Sequence, residues 1–138
     1  MTGAGLVWLD DADVLTLHDR LLALHGGPAG LRDEGLLHSA LARPRQLAVY
    51  GEHADVIDLA GAYTAGLVKN HPFIDGNKRT GFVVGILFLE LNGYRFTASE
   101  DAAAAAVLDL AAGSLDERGY TAFLRENVVA DAESSDSG

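Results

Sequence analysis

The chain has no cysteine among its 138 residues, which excludes a disulfide framework and a thiolate metal site. Basic residues are few: ten lysines and arginines stand against twenty aspartates and glutamates, a net charge of -10. A nucleic-acid-binding surface needs clustered cations, so we expect no nucleic-acid partner. Long apolar runs are missing too, since the most apolar one, residues 81–91, is too short for a bilayer and contains Glu90. We therefore expect no membrane contact.

The composition that remains, 49% hydrophobic and 22% charged, is that of a globular domain. No basic and apolar signal-peptide pattern is evident in Met1 to Gly5. We expect one cytoplasmic domain over residues 1–130, followed by a disordered acidic and serine-rich tail over residues 131–138.

Apolar spacing, capping residues and turn residues predict helices along most of the chain. Residues 6–9 fit a short strand or an extended lead-in. In the first half of the chain, helices are expected over residues 10–24, from Asp33 to just before Pro44, as a short turn over residues 45–50, and over residues 54–70. In the second half, they are expected over residues 77–92, with Gly93 as C-cap, from Ser99 or Thr97 as N-cap to Gly113, and from Ser114 to about Val129. A second short strand is expected over residues 94–97. The sequence thus predicts an all-α bundle with at most two very short strands.

The segment over residues 77–92 is apolar on every side, which predicts a buried helix at the centre of the bundle. Gly81 and Gly85 lie one turn apart, as do Gly61 and Ala65 on the preceding helix. Small residues at this spacing allow helix backbones to approach closely, so we expect these two helices to pack together.

Cations are concentrated in one short segment of this acidic chain: Lys69, Lys78 and Arg79 fall within eleven positions, with His71 among them. Lys78 and Arg79 open a helix, where the helix dipole favours anions rather than cations. Their placement makes sense if an anion occupies that helix start. The free N–H groups of residues 76–78 would point at it, and Gly76 lets phosphate oxygens approach the main chain.

Two further side chains of this segment suit phosphate chemistry. Asp75 could hold Mg²⁺, a cation usually bound by one or two carboxylates together with substrate phosphates. Histidine is the side chain that most often takes a proton from an attacking hydroxyl, and His71 could do so here. Taken singly, Asp75 is better explained as a helix N-cap and His71 as a surface or capping residue. Only the combination with Gly76 and the two cations favours a catalytic loop.

The string His71-Pro72-Phe73-Ile74-Asp75-Gly76-Asn77-Lys78-Arg79-Thr80 resembles the signature of the Fic/Doc superfamily, in particular its death-on-curing (Doc) branch. Residues 26–31 and 87–94 extend the similarity, which covers roughly residues 6–125. The resemblance implies an all-α Fic fold that binds ATP with Mg²⁺, with His71 as general base and Asp75 as metal ligand. It also implies that Gly76, Asn77, Lys78 and Arg79 bind the phosphates and that residues 26–30 lie over the site. From its place in the cluster of cations, we expect Lys69 to help bind the nucleotide.

Two positions depart from the wider Fic pattern. Lys78 stands where adenylyltransferases of the family usually have glycine, and Phe82 stands where they have a second arginine. In the Doc branch, this lysine accompanies a nucleotide bound the other way round, with its γ-phosphate presented. The resemblance therefore favours a Ser/Thr phosphotransferase (a kinase), with an adenylyltransferase as the alternative.

No inhibitory [Ser/Thr]-x-x-x-Glu-[Gly/Asn] string is present, because neither Glu34 nor Glu126 has Ser or Thr four residues before it. An enzyme without its own inhibitor resembles the toxin of a toxin-antitoxin module, whose antitoxin inserts a C-terminal segment into a groove on the toxin. By family analogy the target is elongation factor Tu, and translation is arrested. A third hypothesis is a non-catalytic interaction module. A metal hydrolase is excluded, since His18, His25, His38 and His53 form no ligand spacing with His71.

Overall fold

A computed structural model describes residues 5–131; the expected tail, apart from Asp131, lies outside the described residues. In this range the elements are α1 (Asp11–His25), α2 (Glu34–Tyr50), α3 (Val56–Asn70), α4 (Asn77–Leu91), β1 (Tyr94–Phe96), α5 (Glu100–Ala112), α6 (Glu117–Glu126) and β2 (Val128–Ala130). The prediction of an all-α fold with at most two very short strands is confirmed. None of the described helices has the length and hydropathy needed to cross a membrane.

The most enclosed element is α3, which packs against α2, α4, α5 and α6. Ten of its fifteen residues are buried. We expected the segment over residues 77–92 to hold this central position. Instead α4 buries one face against α3, while Phe82 and Ile86 on its other face line an open groove. The apolar outer face of α4 thus reflects a groove rather than a core.

Close contact between α3 and α4 is confirmed. A Cβ on Gly81 would lie 3.0 Å from Val68 Cγ2, and one on Gly85 would overlap Thr64 Oγ1. The Thr64 hydroxyl donates a hydrogen bond to the carbonyl of Gly81, at 2.8 Å. Gly61, however, faces Thr121 of α6 and not α4. The close contact therefore holds together the two helices that the loop at residues 71–76 connects.

Helix α2 does not end before Pro44 as predicted, and it includes the separate turn expected at residues 45–50. Proline removes the N–H that would bond to the carbonyl of Ala40, which usually kinks or breaks a helix. Here Pro44 is buried, and Gly66 of α3 covers this carbonyl so closely that a Cβ on Gly66 would lie 3.1 Å from it. Packing against α3 therefore outweighs the local preference of proline.

Two predicted helix starts differ in detail. Helix α5 is capped by Ser99, whose hydroxyl accepts from the Ala102 N–H, whereas the Thr97 hydroxyl donates to the Asn127 carbonyl. Of the two predicted caps, Ser99 is thus the correct one. Helix α6 is capped by Asp116 and not by Ser114, because Ser114 Oγ instead donates to the Asp109 carbonyl.

The C-terminal end of the described chain forms a strand where we predicted helix. Helix α6 ends at Glu126, and β2 pairs antiparallel with β1, with Arg95 opposite Val129. The carbonyl of Asn127, just before this strand, accepts hydrogen bonds from the N–H and the hydroxyl of Thr97. It is therefore not available for a hydrogen bond within a longer helix. At the other end, residues 6–9 form the extended lead-in and no strand, with both polar backbone groups of Leu9 bonded to the Tyr63 hydroxyl.

Candidate active site

The loop with the signature string begins at a left-handed residue. His71 caps the C-terminus of α3 with φ 54° and ψ 53°, a conformation uncommon for a residue with a Cβ. The proline that follows makes helical backbone unfavourable here. Arg32 fixes the turn by donating to the carbonyls of His71, at 2.7 Å, and Asn70, at 3.0 Å. The His71 side chain is exposed and does not point into the core.

Phe73 anchors the middle of the loop. Its ring is fully buried and stacks on the ring of His18 from α1, with centroids 3.7 Å apart and an interplanar angle of 8°. Its backbone is held by the buried side chain of Asn77, which accepts from the Phe73 N–H and donates to the Phe73 carbonyl, both at 2.9 Å. These contacts close the loop over four residues and join it to the start of α4.

The same amide group orients the ring of His71. Because Asn77 Oδ1 accepts from the Phe73 N–H, its Nδ2 faces His71 Nδ1, at 3.2 Å. An amide nitrogen only donates, so Nδ1 is the acceptor and the proton of the neutral ring lies on Nε2. The lone pair of the His71 ring is therefore on Nδ1, the nitrogen next to Asn77 at the start of α4.

Helix α4 begins without a side-chain cap. Its N-cap is Gly76, with φ 82°, and Asp75 does not take the capping role that we considered for it. Within residues 5–131, the N–H groups of Gly76, Asn77 and Lys78 have no hydrogen-bond acceptor. Such unpaired donors at a helix start form an anion-binding arrangement, reinforced by the helix dipole.

A small pocket of about 200 Å³ lies over this helix start; we call it the loop pocket. Its lining consists of signature residues alone: His71, Ile74, Asp75, Gly76, Asn77, Lys78 and Arg79. The structure thus brings together every site residue expected from the sequence except Lys69. Lys69 is exposed on the last turn of α3 and does not line the pocket.

The segment at residues 26–33 runs beside the signature loop. The Ile74 N–H donates to the Gly30 carbonyl at 3.1 Å, and the Arg32 N–H donates to the Pro72 carbonyl at 2.7 Å. Gly27 has φ 120°, and a Cβ there would overlap the carboxylate of Asp75. This arrangement fits the expectation that residues 26–30 lie over the site.

The carboxylate of Asp75 is available for a cation. The residue is exposed, and its side chain accepts no hydrogen bond from the described residues. Residues 5–131 contain no group of three or more His, Asp or Glu side chains that could bind a metal by themselves. This donor set fits Mg²⁺, which commonly takes one carboxylate and completes its coordination with phosphate oxygens and water.

A larger groove adjoins the loop pocket and shares Lys78 and Arg79 with it. It has a volume of about 610 Å³ and lies between α1, α4 and α5; we call it the α4 groove. Its walls are mainly apolar, with Phe82, Ile86 and Val107 among them. The loop pocket alone is smaller than the roughly 300–1,000 Å³ of typical small-molecule sites. It is therefore sized for phosphate groups rather than for a whole nucleotide.

One residue of the site was missed from the sequence. His18 is 2% exposed, and its Nε2 donates to the carbonyl of Asp75 at 2.8 Å. The available signal was its place on the inward face of α1, four residues after Val14 and three before Leu21. A histidine among apolar residues at helical spacing predicts burial, but it does not predict a partner 57 residues away.

Comparison with known proteins agrees with this geometry. Residues 8–89 match the family model described as the Fic/DOC family. Over 96 residues the chain is 42% identical to Toxin Doc of Mycolicibacterium smegmatis, an alignment that covers 68% of this chain and 71% of that protein. Over 81 residues it is 31% identical to Protein kinase doc of Escherichia phage P1, covering 59% of this chain and 64% of that protein.

Proposed function

The chain belongs to the Fic/DOC family, and we propose that it is the toxin of a toxin-antitoxin module that transfers the γ-phosphate of ATP to a Ser or Thr hydroxyl of a target protein. The names of the two relatives support the toxin and kinase assignments. By analogy within the family, the target is elongation factor Tu in the cytoplasm, and its modification arrests translation.

The observation that carries the proposal is the uncapped start of α4. Its free N–H groups belong to residues that line one pocket together with His71, Lys78 and Arg79, and the described residues lining that pocket all belong to the signature string. Phosphoryl transfer depends mainly on positioning and on stabilising charge, and this arrangement supplies both. An interaction module without chemistry would gain nothing from leaving these donors unpaired.

The proposed reaction uses His71 to take the proton. The target hydroxyl displaces the Asn77 amide from Nδ1, and its proton moves to that nitrogen as its oxygen bonds to the γ-phosphorus. The bond between the γ-phosphorus and the β,γ-bridging oxygen breaks, and ADP leaves. The N–H groups at the start of α4, with Lys78 and Arg79, bind the phosphate oxygens. Bound Mg²⁺, held by Asp75, would neutralise phosphate charge.

Phosphoryl transfer is favoured over AMP transfer by the residues at positions 78 and 82. Lys78 lines the loop pocket, and its side chain would take space that a glycine leaves to a phosphate. Phe82 supplies no cation and packs against Phe96 instead, with centroids 5.8 Å apart. Gly76 retains the more Fic-like character, so an adenylyltransferase remains the second candidate.

The experiment that separates the two candidates uses ATP labelled at either the α- or the γ-phosphate. The protein is incubated with each, with Mg²⁺ and with a bacterial extract or purified elongation factor Tu. We expect label on the target only from the γ-position. Label only from the α-position would replace the kinase with the adenylyltransferase, and no label from either would favour the non-catalytic module.

We assign the C-terminal segment of the antitoxin to the α4 groove. Its apolar walls suit the apolar face of a short helix, and Lys78 and Arg79 at one end suit an acidic residue. An occupant there would withdraw both cations from the phosphates, so binding and inhibition would coincide. Ile86→Arg should abolish protection by the co-expressed antitoxin while the toxin stays active. Unchanged protection would place the antitoxin elsewhere.

A further inference from the structure

We propose that His18 is a positioning residue that sets the orientation of the peptide bond between Asp75 and Gly76, and thereby aims the Gly76 N–H at the phosphates. The inference rests on the proposed function for its catalytic consequence. The hydrogen bond on which it depends, however, is a property of the free protein.

The contact is close and enclosed. His18 Nε2 lies 2.8 Å from the Asp75 carbonyl oxygen, and the residue is 2% exposed. A carbonyl oxygen only accepts, so Nε2 carries the proton and donates it. The ring cannot turn away easily, because it is stacked on the buried ring of Phe73. The side chain is thus fixed by packing and directed at one backbone oxygen of the signature loop.

The geometry of the peptide bond transmits this contact. The described chain has no cis peptide, so the carbonyl of Asp75 and the N–H of Gly76 point in opposite directions. Because the Asp75 carbonyl points towards the buried His18, the Gly76 N–H points away from His18. Gly76 lines the loop pocket and its N–H has no acceptor among the described residues. Without the hydrogen bond, this peptide unit could rotate, since glycine tolerates many backbone conformations.

Two substitutions separate the hydrogen bond from the stacking contact. His18→Phe keeps an aromatic ring against Phe73 and removes the donor. His18→Gln loses the ring but places an amide N–H near the position of Nε2. His38→Gln is the matched control, because His38 is exposed and, among residues 5–131, its side chain pairs with Asp11 alone. For each protein we would measure the melting temperature, the kcat and KM for ATP, and the Gly76 amide signal by NMR with and without ATP and Mg²⁺.

We expect His18→Phe to melt close to wild type and to lose about 10- to 100-fold in kcat/KM. Most of the loss should fall on kcat, because an amide aimed at the transferred group matters most where charge develops. His18→Gln should recover most of the lost activity, and His38→Gln should match wild type. The ATP-dependent shift of the Gly76 signal should disappear only in His18→Phe.

The inference is overturned if His18→Phe transfers phosphate as well as wild type, or if His18→Gln is as impaired as His18→Phe while both remain folded. If both variants unfold, the test moves to the His18 ring of the wild type, whose nitrogens are observed by NMR. A proton on Nε2 supports the hydrogen bond, and a proton on Nδ1 instead rules it out. Failure of the proposed function looks different, since the wild type itself then transfers no phosphate. In that case the NMR of the ring still tests the hydrogen bond.

Discussion

The starts of α3 and α4 are built in opposite ways. At α3, Asp55 accepts from the Asp58 N–H, Asp58 accepts from the Asp55 N–H, and Arg125 of α6 forms ion pairs with both carboxylates, at 2.7 and 3.0 Å. At α4, a glycine takes the N-cap position, no side chain of residues 5–131 caps the helix, and two cations occupy the first turn. One start is satisfied within the protein, whereas the other is left open.

This difference separates a helix start that serves stability from one that, in the proposed function, serves binding. Side-chain caps at α1, α2, α3, α5 and α6 come from Asp10, Asp33, Asp55, Ser99 and Asp116. An N-cap contributes about 0.5–2 kcal/mol to stability, and α4 forgoes it. Its first turn instead places like-signed charges against the dipole, which is favourable only when an anion is present.

The largest expected effect is on activity at the open start. His71→Ala should lower γ-phosphate transfer by about 10²- to 10⁴-fold, because the proton acceptor is removed. Stability should change little, since the side chain is exposed. Single-turnover transfer and denaturant unfolding measure the two. Transfer at the wild-type rate would show that His71 is not the base.

Arg79→Ala should lower transfer by about 10- to 100-fold through the loss of a charged hydrogen bond to phosphate. The same change should raise the free energy of unfolding by about 0.3–1 kcal/mol, because a cation opposed to the dipole is removed. Arg118→Ala is the control, because it removes an exposed cation from the first turn of α6, away from the site; it should raise the free energy of unfolding similarly and leave transfer unchanged. A loss of both stability and transfer in Arg79→Ala would contradict the division of roles between the two helix starts.

Asp55→Ala should act on the satisfied start alone. It removes the cap and the pairing with Arg125, and we expect a loss of about 1–2 kcal/mol in unfolding free energy. Asp116→Ala removes only a cap, at α6, and should cost less. Transfer per folded molecule should remain as in wild type for both. Impaired transfer by folded Asp55→Ala would mean that this end of α3 is coupled to the site.

The smallest effect is a dependence on pH. Burial raises the pKa of Asp55, but the hydrogen bonds from Arg125 and Asp58, together with the positive charge of Arg125, lower it by more, so that the pKa is lowered overall. A lowered pKa in the folded state means that the ionised carboxylate stabilises above the usual Asp range near 3.8, and that this contribution is lost as the pH falls through the lowered value.

Asp55→Asn keeps a capping oxygen and removes the charge. Its stability deficit against wild type should stay below about 1 kcal/mol at neutral pH, because the pair is partly exposed, and should vanish in acid. The pKa of Asp58 is raised, with burial as the largest cause, so the effect of Asp58 on stability changes with pH in the opposite direction to that of Asp55. Unfolding curves of both proteins between neutral pH and acid would measure this. A deficit that grows in acid would contradict the assignment.

The sequence predicted the helices and the signature loop because both depend on nearby residues. Apolar periodicity and local caps located the helices, and one uninterrupted string contains all seven residues that line the loop pocket. Features that depend on distant partners were predicted wrongly or not at all. Pro44 continues α2 because α3 packs over it, and residues 128–130 pair with β1 instead of extending α6. His18 lacks any local sign of its bond to Asp75.

The glycine-lined contact between α3 and α4 has a consequence for how this fold can change over time. The loop at residues 71–76 connects two helices whose backbones approach closely at Gly81 and Gly85, so the separation of its two ends is set by residues that carry no chemistry. Side chains exposed in the loop can be exchanged one by one without disturbing that frame. Substitutions in the exposed loop can therefore alter the site while the fold is kept, whereas the contact at Gly81 and Gly85 has little room for a larger side chain.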